Sequence, residues 1–79
     1  MISEGAWAVC VSDDDHAVAV VAYLLRTVCS MDVSRAYRAA LEVYRDGEAV
    51  VAVFGDQTSA EELAVRLQRH SLRVAVRWG

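Results

Sequence analysis

The chain has 79 residues, of which 56% are hydrophobic and 24% charged, with no proline and a formal net charge of −3. This length suits one small domain, and we expect residues 1–79 to form a single unit without linkers or repeats. The negative net charge disfavours nucleic-acid binding. No apolar run reaches the ~20 residues that span a bilayer.

The two cysteines and the N-terminus point to a cytoplasmic protein. Cys10 and Cys29 lack the spacing of metal ligands, and we interpret both as small buried hydrophobes in a reducing compartment. Residues 1–4 lack the basic stretch and the following apolar core of a signal peptide. We therefore expect a cytoplasmic location and no contact with a membrane.

The first half of the chain predicts a strand followed by two helices. Residues 6–11 alternate, with Trp7, Val9 and Val11 on one face. Apolar residues recur at helical spacing over 16–29, which predicts the first helix. Asp32 is a good N-cap for a second helix over 33–45, and Gly47 is a good terminator.

The second half predicts a strand, a helix and a strand. Residues 49–54 form a continuous apolar run that is typical of a largely covered strand. Ser59 and Glu62 form a capping-box pattern at the start of a third helix. The last segment alternates, and its predicted core face contains Leu72, Val74, Val76 and Trp78. The order β-α-α-β-α-β predicts a two-layer α+β fold with three strands and the helices on one face of the sheet.

An acidic turn, Ser12-Asp13-Asp14-Asp15, separates the first strand from the first helix. A helix start needs only one carboxylate as its cap, and three adjacent carboxylates repel one another. Two interpretations stay open: an over-capped helix start, or a binding site for a cation or an amino group. If the turn caps the helix, we assign the cap to Asp15 or Asp14.

A small apolar hollow is predicted between the first two helices, close to the acidic turn. Tyr44 lies on the inward face of the second helix, near its Gly47 end. The hollow is flanked by Val18, Val21, Ala40 and Val43. Ordinary helix–helix packing is the alternative interpretation. A carboxylate beside such a hollow suits a positively charged chain terminus with an apolar side chain.

No combination of residues predicts catalysis. The serines show no nucleophile motif, glycine-rich phosphate loops are absent, and His16 and His70 are the only imidazoles. His16 beside the carboxylates is a weak metal signal, and His70 offsets a helix dipole in our interpretation. We expect no enzyme activity, no metal and no cofactor.

Four segments of the sequence resemble the ClpS family, the N-end-rule adaptors of the Clp protease. They are Val-Ser-Asp-Asp at 11–14, Met-Asp-Val-Ser-Arg-Ala at 31–36, Val-Tyr-Arg-Asp-Gly at 43–47 and Val-Phe at 53–54. The resemblance implies the fold predicted above, without the family's extension ahead of the first strand. It also implies a monomeric adaptor that binds N-degrons, meaning proteins with a bulky apolar first residue. The adaptor would deliver them to the N-terminal domain of a Clp AAA+ unfoldase.

The resemblance also implies specific site residues. The α-amino group would be bound by Ser12, Asp13, Asp14 and Tyr44. The first side chain would be bound by His16, Val18, Val21, Ala40 and Val43. The unfoldase would dock on a helix that carries Glu61 and Glu62. Ser12 replaces the family's Asn and Tyr44 its His, so the alternative is a protein-binding module with lost or altered N-degron recognition.

Overall fold

The fold is a three-stranded antiparallel sheet with three helices, as the sequence predicts. The computed structural model describes residues 5–13 and 15–79. In chain order the elements are β1 (Trp7–Ser12), α1 (Val18–Cys29), α2 (Val33–Asp46), β2 (Ala49–Phe54), α3 (Gln57–Gln68) and β3 (Arg73–Trp78). The strand order is β2-β1-β3, which the apolar pattern alone does not give.

The hydrophobic core lies between the helices and the inner face of the sheet. Val9 and Val11 of β1 are fully buried there, together with Leu25 of α1 and Leu67 of α3. Successive residues of a strand point to opposite faces, so Ala8, Cys10 and Ser12 belong to the outer face. The helices pack on the opposite face, so Ala8 and Ser12 are partly exposed, whereas Cys10, in the middle of the central strand, is buried.

Strand β2 is less covered than its apolar run predicts. It forms one edge of the sheet, and Val50 and Val53 are 53% and 59% exposed on the open outer face. Val9 pairs with Ala52 and Cys10 with Val50, so Val51 is an extra residue that forms a β-bulge in the middle of β2. The continuous apolar run therefore does not indicate a strand buried on both faces.

The core face of β3 also differs in part from the prediction. Leu72 is buried just before the strand, whereas Trp78 is 57% exposed at its end. The ring of Trp78 lies against Trp7, with centroids 4.7 Å apart, where β1 and β3 pair. The two tryptophans thus close one end of the sheet near solvent.

The start of α1 differs from the prediction. The helix begins at Val18 instead of residue 16, and its N-cap is Ala17, which makes no side-chain capping bond. Asp15 is therefore not the cap of α1, and the alternative cap, Asp14, lies outside the described residues. Instead, Asp13 binds the backbone of the turn, as described below.

The start of α3 also corrects the sequence interpretation. The N-cap is Asp56, whose carboxylate accepts a hydrogen bond from Ser59 N–H at 2.8 Å. The helix begins at Gln57, so Ser59 lies inside the first turn and the predicted capping box with Glu62 does not form. The prediction for α2 is confirmed: Asp32 caps it by accepting from Arg35 N–H at 2.7 Å, and Gly47 ends it with φ 92°.

Candidate functional site

A cavity of about 250 Å³ lies between α1, α2 and the turn that follows β1. Its apolar wall combines buried side chains of both helices with Val18, which is half-buried at the start of α1. The buried members of that wall are Val21, Ala40 and Val43. Its polar lining comes from Asp13, His16 and Tyr44. Short side chains at the helix contact leave this space, since nothing longer than valine lines its apolar wall.

Asp13 is the buried carboxylate of this site. Its side chain is 4% exposed. The backbone N–H groups of Asp15 and His16 donate to its Oδ2, at 3.2 and 2.8 Å. His16 Nδ1 lies 2.8 Å from its Oδ1. The local sequence explains this turn, because an aspartate readily binds the backbone two and three residues ahead.

The hydrogen bonds keep Asp13 ionised in spite of its burial. Burial acts to raise the pKa of the carboxyl, but the side-chain and backbone bonds from His16, the charge of the protonated His16 ring and the bond from Asp15 together hold the pKa below its ordinary value of 3.8. A carboxylate has about four lone-pair sites, and three bonds are already made. One site on Oδ1 is therefore left for a further donor.

Tyr44 stands at the rim of the cavity and leaves the interior open. It is 75% exposed, although the resemblance places it in the position of the family's pocket histidine. The sequence left open whether this larger side chain fills the pocket. Its exposed position at the C-terminal end of α2 explains why the cavity between the helices persists.

Ser12 and Asp14, also predicted for this site, are not brought to the cavity by the described structure. Ser12 is the last residue of β1, where it pairs with Arg73, and strand alternation turns it toward the outer face. Asp14 lies outside the described residues. The sequence interpretation of Ser12 as a receptor residue therefore lacks geometric support.

Gly47 lines the cavity and was missed as a site residue in the sequence. It was recognised only as the terminator of α2. Its positive φ, together with a bond from its N–H to the Val43 carbonyl at 3.0 Å, ends the helix beside Tyr44. The signal in the sequence is the position of Gly47, three residues after the candidate pocket residue Tyr44. A helix terminator this close to a pocket residue can itself line the pocket.

The predicted docking residues lie on α3, in a separate and shallower groove. Glu61 and Glu62 are exposed there beside Val65, which is 47% exposed, and two arginines, Arg66 and Arg69. Gln57 Nε2 donates to Glu61 at 2.9 Å. This groove shares no residue with the cavity between α1 and α2.

Neither a metal centre nor a membrane span emerges from the described residues. Within 5–13 and 15–79, no group of three or more His, Cys, Asp or Glu side chains is arranged to hold a metal ion. Over the same ranges, no helix combines the length and the hydropathy needed to cross a bilayer. Cys10 and Cys29 are both free thiols, and burial raises the pKa of Cys29.

The chain is a small α+β domain with a buried carboxylate beside an apolar cavity. The family model for the ATP-dependent Clp protease adaptor protein ClpS matches residues 3–75. The chain therefore belongs to the ClpS family, a family of adaptors and not of enzymes.

Comparison of structures finds a similar fold in the structure of Agrobacterium tumefaciens ClpS2 bound to L-phenylalaninamide. The two chains share 21% sequence identity with a TM-score of 0.68, and the match covers 98% of each. At this identity the likeness concerns the fold. A search of curated protein sequences finds no match.

Proposed function

We propose that this Clp protease adaptor binds protein N-termini in the cavity between α1 and α2. Asp13 holds the α-ammonium group, and the first side chain enters the apolar space beside it. The observation that carries the proposal is one buried, ionised carboxylate with a free acceptor site beside an apolar cavity. The similar Agrobacterium protein, bound to L-phenylalaninamide, supports it, because that ligand has an amino group next to an aromatic side chain.

The chemistry of the cavity suits these two groups of a ligand. A hydrogen bond to a charged group contributes about 1.5–3 kcal/mol. Burial of one bulky apolar side chain contributes a similar amount, about 1.5–3 kcal/mol. The cavity of about 250 Å³ lies just below the range of ~300–1,000 Å³ of drug-sized pockets, so it suits one side chain and its terminus.

Tyr44 is assigned a secondary polar contact in this proposal. Its hydroxyl both donates and accepts, so it can accept from the ammonium or donate to the first carbonyl of the ligand. Ser12, on the outer face, is assigned no direct contact. Asp14 retains the role that the family resemblance implies, as a second carboxylate for the ammonium.

Fluorescence anisotropy with labelled peptides tests the proposal. Peptides that begin with Phe, Leu, Trp or Tyr are expected to bind. The matched controls carry one additional glycine before the same first residue, which separates the ammonium from the bulky side chain. The controls are expected to bind at least about tenfold more weakly, because only one of the two groups is then in place. Equal binding of both sets would contradict the proposal.

The alternative is a ClpS-like module that has the fold but no N-degron recognition. The replacement of the family's Asn and His by Ser12 and Tyr44 motivates it. The open cavity and the exposed position of Tyr44 favour the first proposal. Under the alternative, none of the four peptides binds. The protein then still binds a Clp unfoldase, or it binds a different protein instead.

A further inference from the structure

His16 is bound to the same carboxylate that the proposed function assigns to the ligand ammonium. Its Nδ1 lies 2.8 Å from Asp13 Oδ1, and its backbone N–H donates to Asp13 Oδ2 at 2.8 Å. The His16 side chain is 25% exposed and lines the cavity. A ligand in the cavity therefore meets an imidazole and a carboxylate that are already paired.

The hydrogen bond sets the tautomer of the ring. The Asp13 carboxyl is ionised, as its lowered pKa indicates, and an ionised carboxyl only accepts hydrogen bonds. The proton of a neutral His16 must therefore be on Nδ1, which leaves Nε2 as an acceptor. A protonated ring has donors at both nitrogens and a full positive charge.

We propose that His16 makes ammonium binding at Asp13 depend on pH, through competition between a proton on His16 and the ligand for one negative charge. When His16 is neutral, the charge of Asp13 is available to the ligand. When His16 is protonated, it neutralises Asp13 and places a like charge beside the ammonium. The inference rests on the proposed function and adds its regulation.

Few other groups around the cavity change charge in the relevant range. Imidazoles titrate between about pH 5 and 8, where carboxylates stay ionised and phenols stay neutral. Tyr44 is the polar group that α2 contributes to the cavity lining, and among the described residues no arginine lines it. Asp15 is exposed on the turn, and Arg73 of β3 pairs with Ser12.

Protonation of the ligand works in the opposite direction and so cannot imitate the effect. A peptide α-amino group has an ordinary pKa of about 7.7–8.0, so it becomes more fully charged as the pH falls from 7.0 to 5.5. That change alone strengthens binding slightly. A loss of affinity on acidification must therefore come from the protein.

The test measures binding of a Phe-initiated peptide at pH 7.0 and 5.5 by fluorescence anisotropy. Protonation of His16 neutralises the charge that the ammonium needs, so we expect affinity to fall about fivefold to tenfold at the lower pH. His16→Asn keeps an N–H donor near the position of Nδ1 and does not titrate, so its affinity should be almost equal at both pH values. The matched control is His70→Asn, at the exposed end of α3, which should behave as the unaltered protein.

The outcomes separate the two proposals. If the peptide binds equally well at both pH values, or if His16→Asn retains the full loss, the pH inference is wrong and the proposed function stands. If the peptide fails to bind at pH 7.0 and above, the proposed function is wrong and the pH inference falls with it. Linkage adds a reciprocal check: saturating peptide should move the NMR titration of the His16 ring to lower pH and leave His70 unchanged.

Discussion

Asp13 differs from Asp15, two positions later, in what its side chain contacts. Asp13 is buried and accepts three hydrogen bonds, whereas Asp15 is exposed. The sequence leaves open whether the acidic turn is a helix cap or a receptor, and the resemblance favours Asp13 as the receptor. Neither the sequence nor the resemblance shows that Asp13 also accepts hydrogen bonds from the backbone of its own turn. Those bonds depend on where β1 ends and where the backbone bends. The assignment of Asp15 as the cap of α1 is wrong because the helix begins only at Val18.

The stability of the turn should depend on pH through Asp13. A carboxyl with a lowered pKa in the folded state stabilises the fold above its unfolded pKa, near 3.9, and this stabilisation is lost as the pH falls through the folded pKa. Urea unfolding of the unaltered protein and Asp13→Asn should show a difference in the free energy of unfolding at pH 5. The difference should shrink below about pH 4. Asp15→Asn is the matched control, and an equal, pH-independent loss in both variants would contradict this account.

The volume of the cavity depends on the small side chain of Ala40, which is 1% exposed. Ala40→Leu should fill the space and weaken binding of Phe- or Trp-initiated peptides at least about tenfold, because the first side chain loses its site. Overpacking costs about 1–3 kcal/mol, so circular dichroism must confirm folding. Ala19→Leu on the exposed face of α1 should leave binding unchanged. A folded Ala40→Leu variant with full affinity would show that ligands bind elsewhere.

The start of α2 is predicted correctly from the sequence, whereas the start of α3 is not. The start of α2 is predicted correctly because Asp32, a favoured capping residue, directly precedes its apolar stripe. The sequence interpretation places the start of α3 at Ser59, whereas the structure caps the helix with Asp56, three residues earlier. The earlier cap adds residues 57–59, nearly one turn, to the start of the helix directly after β2.

The choice of cap for α3 can be measured by substitution. Asp56→Ala removes the acceptor of the Ser59 N–H bond, so it should lower the thermal unfolding midpoint. Ser59→Ala keeps the backbone N–H that makes this bond and should change the midpoint less. A larger effect of Ser59→Ala than of Asp56→Ala would instead indicate the capping box with Glu62.

At the scale of the whole molecule, the sequence predicts the layers but not the order of the strands. Alternation in β1 and β3 identifies their inner faces, and the helical stripes require a sheet to pack against. The central position of β1 depends on long-range pairing with both β2 and β3, for which a local pattern contains no information. The edge position of β2 then explains the exposed Val50 and Val53.

The separation of the cavity from the α3 groove suggests a division between substrate binding and docking. We propose that Glu61 and Glu62 contact the N-terminal domain of a Clp unfoldase. The double variant Glu61→Arg/Glu62→Arg should weaken capture of that isolated domain, in surface plasmon resonance, at least about fivefold, because two contacts reverse their charge. Glu42→Arg/Asp46→Arg, a double reversal at exposed positions of α2, is the control for net charge. Unchanged capture by the double variant would place docking on another surface.

Recognition of a free N-terminus by Asp13 is the central claim, and a binding cycle tests it most directly. A Phe-initiated peptide and its N-acetylated form are titrated against the unaltered protein and against Asp13→Asn. Acetylation should weaken binding to the unaltered protein about tenfold to a hundredfold, which is the value of a charge-assisted hydrogen bond. Asp13→Asn should bind both peptides weakly and almost equally. Equal binding of both peptides by the unaltered protein, or full discrimination by Asp13→Asn, would contradict the account.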